Sequence, residues 1–265
     1  MRIFKDLRAK QTKNHFDSSK FCVQIFAPNI TNPMRIVCEK MEAAKIDVFW
    51  FKMQTNSQQS MSKFTGSKKI GSNLFLVEGV MNNFYHSPVR YESLSVLSFM
   101  KKEYVLRVDD DEVVSDQLVK YIETTQRVLD NGSAIAIRRL WVRRSKSKEW
   151  MRSKSAFSPG ESYDWQTRLF RIKDAKTATG VHDGDFRFRK VEKCIDSGVQ
   201  IFHLILEILD LESRVNRVAH YESVLAGSGL SKIRYYVPEL LGTSGLYETL
   251  DEATQTEINT WNLYP

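Results

Sequence analysis

The stretch "YVLRVDDDE", residues 104 to 112, sets three aspartates and a glutamate directly behind an apolar run. Carboxylates this close repel one another, so the pattern needs a physical reason. In an extended chain, side chains two residues apart point the same way. Asp109 and Asp111 are therefore expected to converge, with Asp110 facing away. Two converging carboxylates are stable when a cation sits between them. Mg²⁺ or Mn²⁺ held by one or two carboxylates, with phosphate oxygens completing the shell, is the usual arrangement at nucleotide sites. A helix N-terminus also favours negative charge, by about 0.3–1 kcal/mol per group. That accounts for Glu112 and Asp111 better than for Asp109, which follows the apolar run directly.

The elements that must position these acids alternate along the first 140 residues. "FCVQIFA" (21–27) reads as a buried strand closed by Pro28 and Asn29, and residues 33–45 as a helix with Met34, Val37, Cys38 and Met41 at helical spacing. "DVFWFKM" (47–53) is a second strand, 54–73 a long polar loop, 74–77 a third strand and 88–101 a helix. Residues 104–108 form a fourth strand that ends on the acids. A helix over 116–131 follows, with Ser115 as its N-cap and Asn131-Gly132 as its stop, then a strand over 133–142. Strand–helix alternation predicts a parallel, doubly wound α/β sheet. In such a sheet, ligands bind beyond the carboxyl ends of the strands, which is where the acids lie. The second half is less regular, with short strands near 168–172 and 199–204, helices near 210–226 and 229–241, and an amphipathic tail.

The chain of 265 residues is long enough to bury a substantial core, and 42% hydrophobic with 27% charged residues is ordinary for a globular protein. Cys22, Cys38 and Cys194 fit no zinc or redox spacing and read as reduced thiols. The opening "MRIFKDLRAK" has no apolar core for a signal peptide, and no apolar run approaches 18 residues. A cytoplasmic location is expected, in a bacterium or in the host of a phage. A net charge of +7 favours an anionic partner.

Together, these stretches resemble GT-A glycosyltransferases, particularly the large inverting family 2. "YVLRVDDDE" resembles that family's DxD strand end, and "SPVRYESLSVLSFMKKEYVLRVDDDE" (87–112) its lead-in. "DWQTRLFRI" (164–172) and "GVHDGDFRF" (180–188) resemble an RLFR-type strand and the His-acid segment after it. "IFHL" (201–204) and "SRVNRVAHYE" (213–222) resemble a downstream histidine and a helix carrying Arg and Tyr. The likeness covers roughly 20 to 225. It implies one GT-A, Rossmann-like domain over 1–265: a mixed, mostly parallel sheet flanked by helices, with an irregular C-terminal acceptor half. Residues 20–140 would bind the nucleotide-sugar, 141–225 the acceptor, and 226–265 form a helical tail.

The resemblance implies roles residue by residue. Asp111 is the main metal ligand and Asp109 a donor contact that also faces the metal. His203 and His182 are candidates to complete the shell around Mn²⁺ or Mg²⁺. Arg90, Arg107 and Arg168 would meet the diphosphate of a nucleotide-sugar, a UDP-sugar foremost. Inverting transfer needs a carboxylate base for the acceptor hydroxyl. Asp183 is the first candidate, with Asp164 and Asp185 behind it. The place after the second strand reads "FKMQTNSQQS", without the family's acid, which leaves Asn56 as the candidate contact to the base. The processive QxxRW signature is absent, which implies single transfers.

Residues 138–154, "RRLWVRRSKSKEWMRSK", hold eight Lys or Arg among seventeen positions. Arg138, Arg139, Arg143, Arg144, Lys146 and Lys148, interleaved with Trp141 and Trp150, are expected to receive an anionic acceptor. Two acceptors fit: a phosphorylated bacterial surface glycan or lipid-linked precursor, and DNA carrying a modified base. A charge run is also commonly just a solvated loop. The rival classes are a non-enzymatic nucleic-acid-binding protein using this stripe, and a metal-dependent nuclease or phosphotransferase, which would need further converging acids.

Overall fold

The structure, a computed structural model, describes residues 16–55, 63–81, 86–154, 163–177, 186–224, 226–227, 229–241 and 247–263. The first half runs β1 (Phe21–Phe26), α1 (Asn32–Ala43), β2 (Asp47–Thr55), β3 (Lys63–Lys69), β4 (Leu74–Met81), α2 (His86–Phe99), β5 (Tyr104–Asp109), β6 (Glu112–Val114), α3 (Asp116–Asp130) and β7 (Ser133–Arg144). The second half adds β8 (Trp150–Ser153), β9 (Asp164–Arg171), β10 (Lys176–Thr177), β11 (Phe186–Arg187), β12 (Lys190–Lys193) and β13 (Gln200–His203). It closes with α4 (Ile205–Ile208), α5 (Leu211–Val224), α6 (Ile233–Tyr236), β14 (Tyr247–Thr249) and α7 (Glu252–Asn259).

The heart of the main sheet is parallel, in the order β5-β1-β2-β4, as the alternation predicts. β1 is apolar on both sides because both faces are covered. Val23 and Ile25 join Val48, Trp50, Leu106 and Val108 under α1 and α3, which contribute Met34, Val37, Leu118 and Ile122. Cys22 joins Phe49, Phe51 and Val105 under Leu94 and Leu97 of α2. Gln24, buried in the middle of β1, donates to Ser93 Oγ at 2.5 Å. That bond fixes α2 one turn from Arg90.

The sheet is mixed, and three local expectations change. Residues 63–69, read as loop, form β3, antiparallel to β4 at the sheet edge. An edge strand is half solvated, so its lysines and Gly66 hide its β character and also guard the edge against further pairing. β7 does not continue the parallel order; β9 lies between β5 and β7, antiparallel to both. The helix expected over 229–241 is split: α6 ends at Tyr236, and Pro238 opens a 3-10 turn. Proline lacks the amide that a continuing helix needs.

The C-terminal segment is not a detached tail. Leu250, Ile258, Trp261 and Leu263 pack with Val113, Leu140, Val142, Trp150 and Phe202. β14 pairs with β8, and Lys40 bridges Asp116 and Glu257. No helix among the described residues is long and apolar enough to cross a membrane.

Candidate active site

The acids sit on a tight turn between β5 and β6, at the carboxyl edge of the parallel strands. The turn is held from three sides. Thr31, which caps α1 by accepting from Met34 N, donates its hydroxyl to Asp110 O at 2.6 Å. Leu204 N donates to Asp111 O at 2.8 Å. Glu112 lies on β6 opposite His203 of β13. Helix α3 starts only at Asp116, capped by Ser115 Oγ, which accepts from Leu118 N at 3.0 Å.

This turn breaks the extended geometry from which convergence of Asp109 and Asp111 is expected, and the two face different partners. Asp109 belongs to an arginine cluster. Arg168 Nη2 lies 2.7 Å from its Oδ2, with Arg90 at 3.9 Å and Arg139 at 4.0 Å. Burial opposes ionisation of Asp109, but Arg168, Arg107 and Arg90 overcome it and hold its carboxyl well below the usual range. Asp111 instead faces His203 Nε2 at 3.4 Å and Arg217 Nη1 of α5 at 3.5 Å. Burial raises the Asp111 carboxyl against the pull of Arg217.

Glu112 is a structural anchor rather than a helix-opening acid. Its side chain is 0% exposed and accepts from Arg168 at 2.6 Å, from Arg139 at 3.3 Å and from Asp109 N at 2.9 Å. Sequence reasoning passed over Glu112 as a site residue, and likewise Arg217. The clue for Glu112 was that the apolar pair Val113-Val114 separates it from the Ser115 cap, so it does not stand at the helix start.

Alternation along two strands builds the wall behind the acids. Arg139 and Trp141 stand two apart on β7, and Asp164, Gln166 and Arg168 stand two apart on β9. The Asp164 carboxylate is fully engaged: Arg139 Nε donates at 2.7 Å and Trp141 Nε1 at 2.8 Å to Oδ2, and Gln166 donates at 2.7 Å to Oδ1. Burial disfavours its charge, yet Arg139 and these donors lower its pKa overall. Such a group orients Arg139 and is poorly placed to take a proton. Asn56, His182, Asp183 and Asp185 lie outside the described residues.

The basic stripe does not form one face. Trp150 is 0% exposed and in the core, donating to Asn259 Oδ1 at 3.0 Å. Trp141 is buried against His203, ring centroids 4.0 Å apart, with the Arg139 guanidinium 4.9 Å from its ring. Neither indole is free to stack on a ligand base. Arg138 is buried and donates to Asp196 O. Arg143 pairs with Glu239 at 2.7 Å, and the Arg144 guanidinium lies over Trp150. Only Lys146 and Lys148 of the expected acceptor residues are exposed. The physical reason is that β7 and β8 are sheet strands, so alternate residues of the stripe go to opposite sides.

Among the described residues, no group of three or more His, Cys, Asp or Glu side chains could by itself hold a metal ion. A catalytic Mg²⁺ or Mn²⁺ does not need one; it takes one or two protein ligands and substrate phosphates. Asp111 and His203 fit that demand. Burial and Arg139 keep His203 neutral, holding its pKa well below the usual value. Its Nδ1 is buried without a hydrogen-bond partner, and its Nε2 looks at the Asp111 carboxylate across 3.4 Å. Neighbouring ligands on an octahedral ion with bonds of about 2.1 Å stand about 3 Å apart.

Asp110 carries a pH-dependent consequence. Burial and the Asp111 charge push its carboxyl up to about 7. Between about pH 4 and pH 7, the folded state holds a proton that an unfolded aspartate has released, so this group's contribution to stability falls as pH rises. Asp110→Asn is therefore expected to melt higher than wild type at pH 8, by about 2–8 °C, with the gap narrowing toward pH 4. A pH-independent gap in thermal melting would show that Asp110 is ordinarily solvated.

No family model matches this chain, and no curated protein matches it. Among solved structures, the chain is similar to the crystal structure of S. aureus TarS 1-349, with a TM-score of 0.35 and 13% identity. That alignment covers 77% of this chain and 65% of the solved one, so the chain spans just under two thirds of that structure's length.

Proposed function

We propose that this chain is a metal-dependent glycosyltransferase of the GT-A type. It would move a sugar from a nucleotide-sugar, a UDP-sugar foremost, to an acceptor hydroxyl with inversion. The observation that carries the reading is the pairing of Asp111 with a neutral, buried His203 at the carboxyl edge of the parallel strands, 3.4 Å apart. When bound there, Mn²⁺ or Mg²⁺ supplies a Lewis acid for the charge that develops on the departing diphosphate. The protein's own groups do the rest. Arg168 and Arg139 lock the acidic turn through Glu112 and Asp109. Asp109 keeps a partly exposed carboxylate toward solvent, suited to accept from a hydroxyl of the donor. Asp164 holds Arg139 in place, and the resemblance leaves the base role to Asp183. For an anionic acceptor, DNA or a phosphorylated glycan, the 138–154 stripe offers the exposed Lys146 and Lys148, while the other expected contacts are buried or half-buried.

Thermal melting with Mn²⁺ and a panel of nucleoside diphosphates tests the reading. A ligand that binds only the folded state, at a hundred times its Kd, adds about 2.7 kcal/mol. For a chain of this size, that is a rise of about 5–10 °C. The rise is expected with one diphosphate and only when Mn²⁺ or Mg²⁺ is present. No shift with any diphosphate would refute the assignment.

A further inference from the structure

Arg217 differs from the other guanidinia around the acids. The side chains of Arg90, Arg139 and Arg168 are 1–17% exposed, whereas that of Arg217 is 36% exposed. Arg168 contacts its carboxylates at 2.6 and 2.7 Å; Arg217 reaches Asp111 only at 3.5 Å. Arg217 therefore balances the Asp111 charge from the solvent side through a loose contact. One helical turn earlier, Arg214 anchors α5 firmly. It donates to Tyr236 O at 2.7 Å and to both oxygens of Glu239 at 2.9 and 3.0 Å. The Arg217 guanidinium lies 5.8 Å from the Tyr236 ring, a second surface on which it can rest. The helix is thus fixed while the side chain at position 217 has room to change partner.

We propose that Arg217 is the counter-ion of Asp111 in the ligand-free protein, that a divalent cation entering at Asp111 and His203 displaces it, and that the released guanidinium then takes the donor's diphosphate. This rests on the metal and donor assignment made above. Electrostatics supports the exchange. A guanidinium and a divalent cation compete for the same carboxylate, and two cations beside one carboxylate repel unless an anion joins them. A diphosphate is such an anion, and guanidinium forks match its oxygens. The device makes donor and metal binding mutually dependent: the cation alone must evict Arg217, and the diphosphate offers Arg217 a new partner.

The test measures Mn²⁺ binding by the resonance signal of free Mn²⁺, with and without UDP, and UDP binding by calorimetry at saturating Mn²⁺. Wild type, Arg217→Ala and Arg217→Lys are compared. Arg217→Ala is expected to bind Mn²⁺ alone about 5–10-fold more tightly than wild type, and UDP in the presence of Mn²⁺ about tenfold more weakly. Arg217→Lys, which keeps the charge but not the fork, should fall between them on both scales. Opposite movements are the signature, because a merely structural arginine would weaken both or change neither. If Mn²⁺ and UDP bind wild type but the two constants move together or not at all in Arg217→Ala, the counter-ion role is wrong and the metal assignment stands. If no protein binds Mn²⁺, with or without UDP, the metal assignment and this proposal fall together.

Discussion

Asp111→Asn is expected to abolish the Mn²⁺-dependent melting shift and to lower sugar transfer by about 10²–10³-fold, the loss that follows when several kcal/mol of Lewis-acid stabilisation are removed. The same substitution is expected not to destabilise the fold. Asp111 is buried, and burial together with the Asp109 charge already disfavours its ionised form. A neutral amide of the same shape removes that penalty. Its backbone carbonyl, which accepts from Leu204 N, is untouched. Lost ligand response with an unchanged or higher melting temperature is the pattern of a residue kept for function at a cost in stability. An Asp111→Asn protein that retained the full Mn²⁺-dependent shift would place the cation elsewhere. One that simply unfolded would show that the carboxylate is structural.

Arg168→Met is expected to have the opposite profile: large destabilisation, with ligand response lost only as a consequence. Its guanidinium is 1% exposed and its Nη2 serves Asp109 and Glu112 at once. Without it, Glu112 keeps Arg139 at 3.3 Å and one amide, and its buried charge faces the partly exposed Asp109 carboxylate with less compensation. Breaking a buried ion pair from one side costs about 3–5 kcal/mol, because the remaining charge is left uncompensated. Urea unfolding should show a loss of that size with an unchanged denaturant slope. The double variant Arg168→Met with Glu112→Gln tests the cause. Removing one stranded charge should recover part of the loss, since interacting residues are not additive. A single variant within about 1 kcal/mol of wild type would mean that Arg139, Arg90 and Arg107 balance the cluster without it.

The parallel half of the fold was legible along the chain because it rests on local regularities. The unbroken apolar run of β1, the helical spacing of Met34, Val37 and Met41, and the Ser115 cap before α3 each report burial or hydrogen bonding within a few residues. The position of the acids at a strand's carboxyl end followed from the same regularities. The β9 side of the sheet was not legible, because β9 enters between β5 and β7, well beyond both in the chain, and nothing in "DWQTRLFR" names its neighbours.

The same division runs through the site. "DDDE" announced that the acids needed compensation, but not which acid received which partner. That depended on a turn at Asp110 and Asp111 that ends the extended alternation, and on β13 bringing His203 level with Glu112. The basic stripe shows the same limit: eight cations close in sequence look like one surface, yet those on β7 and β8 divide between the two sides of the sheet, while Lys146 and Lys148 stay exposed in the turn between the strands. Residue chemistry and short-range periodicity are properties of the chain. Which charge faces which is a property of strand order and turn geometry, and these are settled only when distant segments pack against one another.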